Sequence, residues 1–363
     1  MKWRDYVPTL LDKMIWFILG AVFLFFVSQS PHFLSPNNIT NILSAAAVLG
    51  VLVVGQTFVL ISGNFDLSTE STLGLAALFG LWLIVPAAAP HWGAGLNIDP
   101  YLSIIMILAM GAGIGYLIGS LITFGRMNNF IVTLAMLLIV RGLMLAFTQG
   151  NATSGLNFKP AETFYWLGHE TAFTLPGIGR IPVAVIATAM IFAVGHVILN
   201  HRRFGRELYA IGGNRDAAVA SGIDADRRIR QVYMLSGLLA AFGGWMLAGR
   251  VASIQVNLGE GYIFTVFAAA VIGGVSLQGG RGTMLGALGG VLLLSTIDRG
   301  LNLMRVSVFW IQVVQGIIIM IAMFIDAQRI RFRAPAPGTA PSTTGADETA
   351  RRDTRVSGQE FTQ

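Results

Sequence analysis

Apolar residues run along this chain in blocks of about 15 to 20, close to the length that crosses a bilayer as a helix. Short polar intervals, several holding Gly or Pro, separate the blocks. A basic leader, residues 1–13, precedes the first block at Ile15–Val27. That block imitates a signal peptide but has no small-x-small cleavage site, so it reads as an uncleaved first span. The second block runs from about Ile42 to Ser62 and breaks at Gly63-Asn64-Phe65-Asp66-Leu67-Ser68. A third starts almost at once and ends near Pro86. Tyr101–Phe124, Phe130–Phe147 and Ile181–Asn200 are the fourth to sixth. The seventh follows Asp224, with its apolar part at Val232–Leu247. The eighth, Tyr262–Val275, is short and ends in Gly273-Gly274; the ninth carries Gly282, Gly286 and Gly290; the tenth is Val308–Ile325.

Ten spans predict an all-α polytopic membrane protein with both termini on one side. Composition agrees. Of 363 residues, 54% are hydrophobic and 12% charged, where a soluble domain carries about 25% charge. The net charge of +6 does not point to nucleic acid, because the arginines cluster in loops between apolar blocks. They mark those loops as cytoplasmic. The outer segments hold only Lys159, Arg180, Arg250, Arg299 and Arg305. Residues 14–330 read as one transmembrane domain, and 334–363, rich in Pro, Thr, Ala, Gly and charge, as a disordered cytoplasmic tail.

Two spacings are packing signals. Gly111, Gly115 and Gly119, and again Gly282, Gly286 and Gly290, form GxxxGxxxG patterns that let helix backbones approach closely. A third feature is a likeness between two breaks. Leu60-Ile61-Ser62-Gly63 matches Val271-Ile272-Gly273-Gly274, each followed by a polar break and a new apolar run. Paired Gly-interrupted segments point to an internal repeat with a translocation path between its halves. Asp66 is placed to cap the third helix, with Glu70 in its first turn. These acids either sit in the membrane with a function or face the aqueous boundary at a tight turn. Arg141, inside the fifth span, snorkels, lines a polar path or pairs with a carboxylate; the structural ion pair is the favoured role.

The longest polar interval is Arg202–Arg230, with seven arginines. It contains a short helix with both ends marked: Asn214 suits the N-cap, Asp216 the first turn, and Gly222 the end. A helix this short is held by what it packs against. It reads either as a plug for a groove on another protein or as a solvated loop with one capped turn.

Enzymatic signatures are missing. No H-E-x-x-H or G-x-S-x-G occurs, and cysteine is absent, so no thiolate chemistry is available. Gly274–Arg281 has the glycines of a phosphate loop, but Arg281-Gly282 stands where Lys-Ser/Thr is needed. No cofactor, metal or nucleic-acid motif is expected, and any ATPase belongs to another chain.

Three landmarks, in order, resemble the ribose-type permeases of ABC importers. Leu208-Tyr209-Ala210-Ile211-Gly212-Gly213-Asn214, Ala217-Ala218 and Ser221-Gly222-Ile223 look like that family's cytoplasmic signature. Ser62–Ser68 is similar to its Gly-x-Asp-Leu-Ser core, and Val271–Thr283 resembles the third landmark. The likeness covers about Pro31 to Arg329. It implies a type II importer-like permease that dimerises with an identical or homologous permease. It further implies two ATP-binding subunits below, an extracytoplasmic sugar-binding protein above, and a bacterial inner membrane around it. It makes Asn214–Gly222 the coupling helix, with Arg206, Gly212, Gly213, Asn214, Asp216, Ala217, Ala218, Ser221 and Gly222 as coupling residues. Position along the two broken segments suggests Gln56, Asn64, Asp66 and Ser68 for the pathway, with Phe264, Gly273 and Gly274 opposite. Asn64-Phe65 and Thr69-Glu70 depart from the family pattern, and the tail is longer than usual. The alternatives are a permease for branched-chain amino acids or nucleosides, and an ion-coupled transporter with Asp66, Glu70 and Arg141 as a relay.

Overall fold

A computed structural model describes residues 7–86, 93–148, 153–154, 159–177, 179–251, 253–254 and 257–333. By contacts the chain divides into residues 1–323 and 324–363. Of the second unit only the end of the last helix is described, and the predicted tail lies outside the described residues.

The helices are α1 (Val7–Gln29), α2 (Pro36–Ile61), α3 (Thr69–Ile84), α4 (Pro100–Thr123), α5 (Asn129–Thr148), α6 (Lys159–His169), α7 (Val183–His201), α8 (Arg203–Gly213), α9 (Arg215–Ala220), α10 (Ala225–Val251), α11 (Tyr262–Ile272), α12 (Met284–Leu303) and α13 (Val308–Arg333). Every predicted apolar span has its helix. Among the described residues six are long and apolar enough to cross a membrane: α2, α4, α5, α7, α10 and α12. The apolar parts of α1, α3, α11 and α13 are shorter. Among the described residues four short strands form two antiparallel pairs: β1 (Thr153–Ser154) with β4 (Ser253–Ile254), and β2 (Thr171–Leu175) with β3 (Gly179–Pro182).

Side-chain character decides which helices are central. Beyond their polar first turns α2 and α10 are apolar or small almost all round, and 83% and 78% of their most apolar stretches are buried. A helix without a polar face belongs inside a bundle. α5 and α7 are only 28% buried and present Leu138, Ile139, Met190 and Val194 outward, as a lipid-facing helix does. α10 packs along α4, α3 and α2. Its seam with α4 is the first GxxxGxxxG. A Cβ at Gly119 would lie 2.8 Å from the Arg230 Cα, and one at Gly111 or Gly115 would strike the carbonyl oxygen of Gly237 or Tyr233.

The second pattern needs a correction. Gly282, at φ +143°, lies before α12 rather than on it. Thr283 caps α12 by accepting from the Gly286 N–H at 3.0 Å. Gly286 and Gly290 then pack against the carbonyls of Gly273 and Ala269 on α11.

Between the fifth and sixth apolar blocks the described residues hold a helix and a strand pair. α6 places Ala161, Phe164 and Leu167 inward, a one-face pattern. The Trp245 Nε1–H donates to the Phe164 carbonyl at 2.6 Å.

Candidate functional site

The polar interval between α7 and α10 folds into two helices rather than one. α8 is amphipathic: Leu208 and Ile211 are buried, and Arg203, Arg206 and Ala210 face out. Its polar face carries one buried carboxylate, Glu207, at 7% exposure. Glu207 accepts from the Arg203 Nε–H at 2.6 Å and from the Arg228 Nε–H. Burial alone would raise the carboxyl pKa; the hydrogen bonds and charges of Arg228 and Arg203 outweigh it and hold the group below the ordinary carboxylate value. Arg228 also lies 5.5 Å over the Phe204 ring. The start of α10 is thereby tied to α8.

α9 has both predicted ends. The Asn214 side chain accepts from the Ala217 N–H at 3.0 Å. At the other end Gly222 stands at φ +82°. Its N–H donates to Val219 O at 2.9 Å, and the Ile223 N–H to Ala218 O at 3.1 Å. This pair of bonds is the Schellman motif. Ala218 turns inward to Ile211, Ala225 and Ile223, and the Arg215 Nη2 meets the Asp226 carboxylate at 2.5 Å. Asn214, Asp216, Ala217, Val219, Ser221 and Gly222 remain exposed. The result is a braced knob with a small-residue outer face.

The two breaks share one geometry. α2 ends with Gly63 at φ +76°, its N–H bonded to Leu60 O and the Asn64 N–H to Val59 O. α11 ends with Gly274 at φ +88°, its N–H bonded to Val271 O and the Val275 N–H to Ala270 O. The residues matched in sequence, Gly63 with Gly274, are therefore matched in conformation. Both breaks lie at the α8 end of the bundle, where the Gly280 N–H donates to Ile61 O at 2.9 Å.

Asp66 is 1% exposed and is not the N-cap of α3; Ser68 holds that position without a side-chain cap bond. Asp66 Oδ1 instead accepts from the Ser68 N–H at 3.0 Å and hydroxyl at 2.6 Å, while Oδ2 accepts from Ser236 on α10 at 2.7 Å. The Tyr233 hydroxyl donates to Phe65 O at 2.7 Å. Glu70 pairs with Arg141 at 3.5 Å, the ion pair favoured from sequence. The other Arg141 amine donates to Leu258 O at 3.0 Å, and Glu70 Oε2 accepts from the Ile263 N–H at 3.2 Å, near the start of α11. One pair thus joins α3, α5 and the approach to α11.

A cavity of about 1190 Å³ opens beside this pair, between α2, α11, α12 and α13. Its wall mixes carboxylates (Glu260, Asp298), amides (Asn302, Gln315) and the Phe264 ring. It lies toward the end of α2 away from the break: Leu49 and Ile61 are 12 residues apart, about 18 Å along a helix. Of the residues assigned to a pathway, Phe264 lines this cavity at 66% exposure. Asn64, Asp66 and Ser68 are buried in the bundle below it. Gln56 is fully buried with neither amide atom hydrogen-bonded. Gly273 and Gly274 sit at the α11 break. Glu207 and Ser236 were not singled out from sequence; Tyr209 stood there only within the cytoplasmic signature and Arg228 only as one arginine of the polar interval. Among the described residues no group of three His, Cys, Asp or Glu is placed to hold a metal ion.

Comparison with known proteins bears on this arrangement. A family model described as branched-chain amino acid transport system / permease component matches residues 38–323. The chain is 40% identical over 304 residues to the ribose import permease protein RbsC of Bacillus subtilis (strain 168), spanning 83% of this chain and 88% of that protein. It is 33% identical over 332 residues to the galactose/methyl galactoside import permease protein MglC of Escherichia coli (strain K12), spanning 89% and 96%. It is 30% identical over 363 aligned positions to the xylose transport system permease protein XylH of the same organism, spanning 85% and 89%. No solved structure matches the chain. The family match takes in α3–α12, both breaks, the capped knob and the cavity, and the chain therefore belongs to the permease-component family of these import systems, as a multi-pass membrane protein.

Proposed function

We propose that this chain is the permease subunit of an ATP-driven, binding-protein-dependent importer for a monosaccharide of the ribose, galactose or xylose kind. The observation that carries the reading is the 40% identity to a ribose import permease across 83% of the chain. The cavity supports it: amides, carboxylates and hydroxyls around an exposed ring suit a solute with many hydroxyls and one apolar face. They suit a branched apolar side chain less well. In this reading two permeases, identical or homologous, form the path. ATP is hydrolysed on separate subunits that take the α9 knob, and an extracytoplasmic binding protein delivers the sugar. The chain sits in the bacterial inner membrane with both termini in the cytoplasm. Transport is alternating access, in which closure of the ATPase pair moves the knobs and the bundles open to one side at a time.

The test is purification of the chain from its native membrane in mild detergent, followed by uptake in liposomes. A co-purifying ATPase, and ATP-dependent uptake of a pentose or hexose that Phe264→Ala slows, is the expected result. A chain that emerges alone and moves solute on a proton gradient would overturn the reading and return Asp66, Glu70 and Arg141 to a relay.

A further inference from the structure

Three segments far apart in sequence meet backbone to backbone, chiefly at glycines. They are the end of α2 at Ile61–Gly63, the end of α8 at Gly212, and the loop before α12 at Gly279–Gly280. The Gly280 N–H donates to Ile61 O at 2.9 Å and so bridges the two halves of the repeat. Gly212 lies against that bond. A Cβ there would come to 2.5 Å from Gly280 N and would collide with Ile61 O, so it would enter the hydrogen bond itself. The contact closes from the other sides too. A Cβ on Gly279 would lie 2.7 Å from the Gly63 Cα and 2.8 Å from Gly212 O, and one on Gly63 would lie 3.5 Å from the Gly212 Cα. A separate bond holds the same elements: the Tyr209 hydroxyl on α8 donates to Gly282 O at 2.7 Å. The next residue, Gly213, touches the same loop by its backbone, where a Cβ on Gly280 would lie 2.9 Å from the Gly213 Cα, but its own Cβ direction is open. A Cβ on it would meet nothing within 4 Å, and it carries no left-handed φ.

We infer that Gly212 is a positioning residue, the joint through which movement of the α8–α9 knob reaches both broken helices at once. This inference rests on the transport reading above and names the residues that transmit it. The knob is rigid, with α9 capped at both ends and α8 tied to α10 through Glu207. Backbone packed on backbone leaves no rotatable side chain to absorb a displacement. A shift of α8 is therefore passed to the Gly63 break and to the loop that leads from the Gly274 break into α12. Sequence alone places Gly212 and Gly213 in one motif; the structure separates them.

The test compares Gly212→Ala with Gly213→Ala in the full chain. Hydrogen exchange on the permease alone reads the joint without the ATPase. Gly212→Ala is expected to raise exchange about tenfold in both 59–64 and 276–282, as opening of a shared contact does, while Gly213→Ala leaves both unchanged. In liposomes holding permease, ATPase and binding protein, Gly212→Ala keeps the ATPase bound and hydrolysing. Solute moved per ATP falls by at least about fivefold, the lower end of measured coupling between sites. Should Gly212→Ala fail to accumulate, Tyr209→Phe replaces it, because it removes one hydroxyl and adds nothing; solute per ATP is then expected to fall about threefold at unchanged expression. Equal exchange in the two glycine variants overturns the joint, as does unimpaired solute per ATP in Gly212→Ala or in its replacement. A wild-type chain that captures no ATPase overturns the transport reading instead, and the exchange pattern still decides the joint.

Discussion

Replacing Gly222 separates conformational strain from steric collision, because a Cβ at this position meets nothing within 4 Å while φ stands at +82°. The cost of Gly222→Ala is therefore the left-handed penalty alone, about 1–2 kcal/mol. It falls on the cap, whose two bonds run from Gly222 N–H to Val219 O and from Ile223 N–H to Ala218 O. At about 1.4 kcal/mol per tenfold, the amides at 222 and 223 should exchange roughly 5 to 30 times faster. The assay is hydrogen exchange with mass spectrometry on the permease in nanodiscs. The thermal transition should stay almost still, since α9 is one short exposed helix and opens locally. Gly222→Asn should approach the wild type, because Asn visits the left-handed region with little penalty. Gly222→Val should be worst, since a β-branched residue at positive φ is a true outlier, and it should lose ATPase capture and uptake while remaining in the membrane. Equal exchange in the Ala, Asn and Val variants would refute the reasoning, and so would a large fall in the thermal transition for Gly222→Ala.

The other predictions follow the same logic. Arg141→Met leaves Glu70 and Leu258 O without their partner and should cost about 3 kcal/mol; the double variant Glu70→Gln/Arg141→Met should recover part of it in thermal unfolding, and simple additivity would rule out the pair. Gly115→Ala should drive a methyl into the Tyr233 carbonyl and cost about 1–3 kcal/mol, while Gly113→Ala, with nothing within 4 Å, should be neutral or stabilising by about 0.5–1 kcal/mol. Glu207 titrates below its unfolded value, so its stabilisation is present above the unfolded pKa and lost as pH falls through the folded one. Melting curves of the wild type should therefore lose stability below about pH 4, and Glu207→Gln should lack that acid-dependent part.

How far the sequence could be read depended on how local each signal was. The ten apolar runs, the Asn214 and Gly222 caps and the two breaks rest on neighbours within a few residues, and each is found where the pattern placed it. α6 was missed because its inward positions, Ala161, Phe164 and Leu167, sit among polar residues over only 11 positions. Gly282 fits a four-residue spacing on paper, but Thr283 caps the helix one residue later. Asp66 looked like a cap because its distant partner, Ser236, is 170 residues away. The meeting of Gly63, Gly212 and Gly279 is a tertiary fact of the same kind; composition marks the glycines but not which ones touch.

The glycine seam between α4 and α10 has a mechanical consequence. Glycine has no rotamers to lose, and the two backbones interlock at Gly111, Gly115 and Gly119, over about two turns of α4. The pair behaves as one plank, and its near end is tied to the knob through Arg228–Glu207, Asp226–Arg215 and the packing of Ala225 on Ala218. α4 spans 24 residues, or about 36 Å, so a small tilt at the knob is magnified at Asp99, on the far rim. A fluorophore carried near Asn97, in a chain with no native cysteine to compete for the label, would test for the nucleotide-driven motion proposed above from the opposite end of α4.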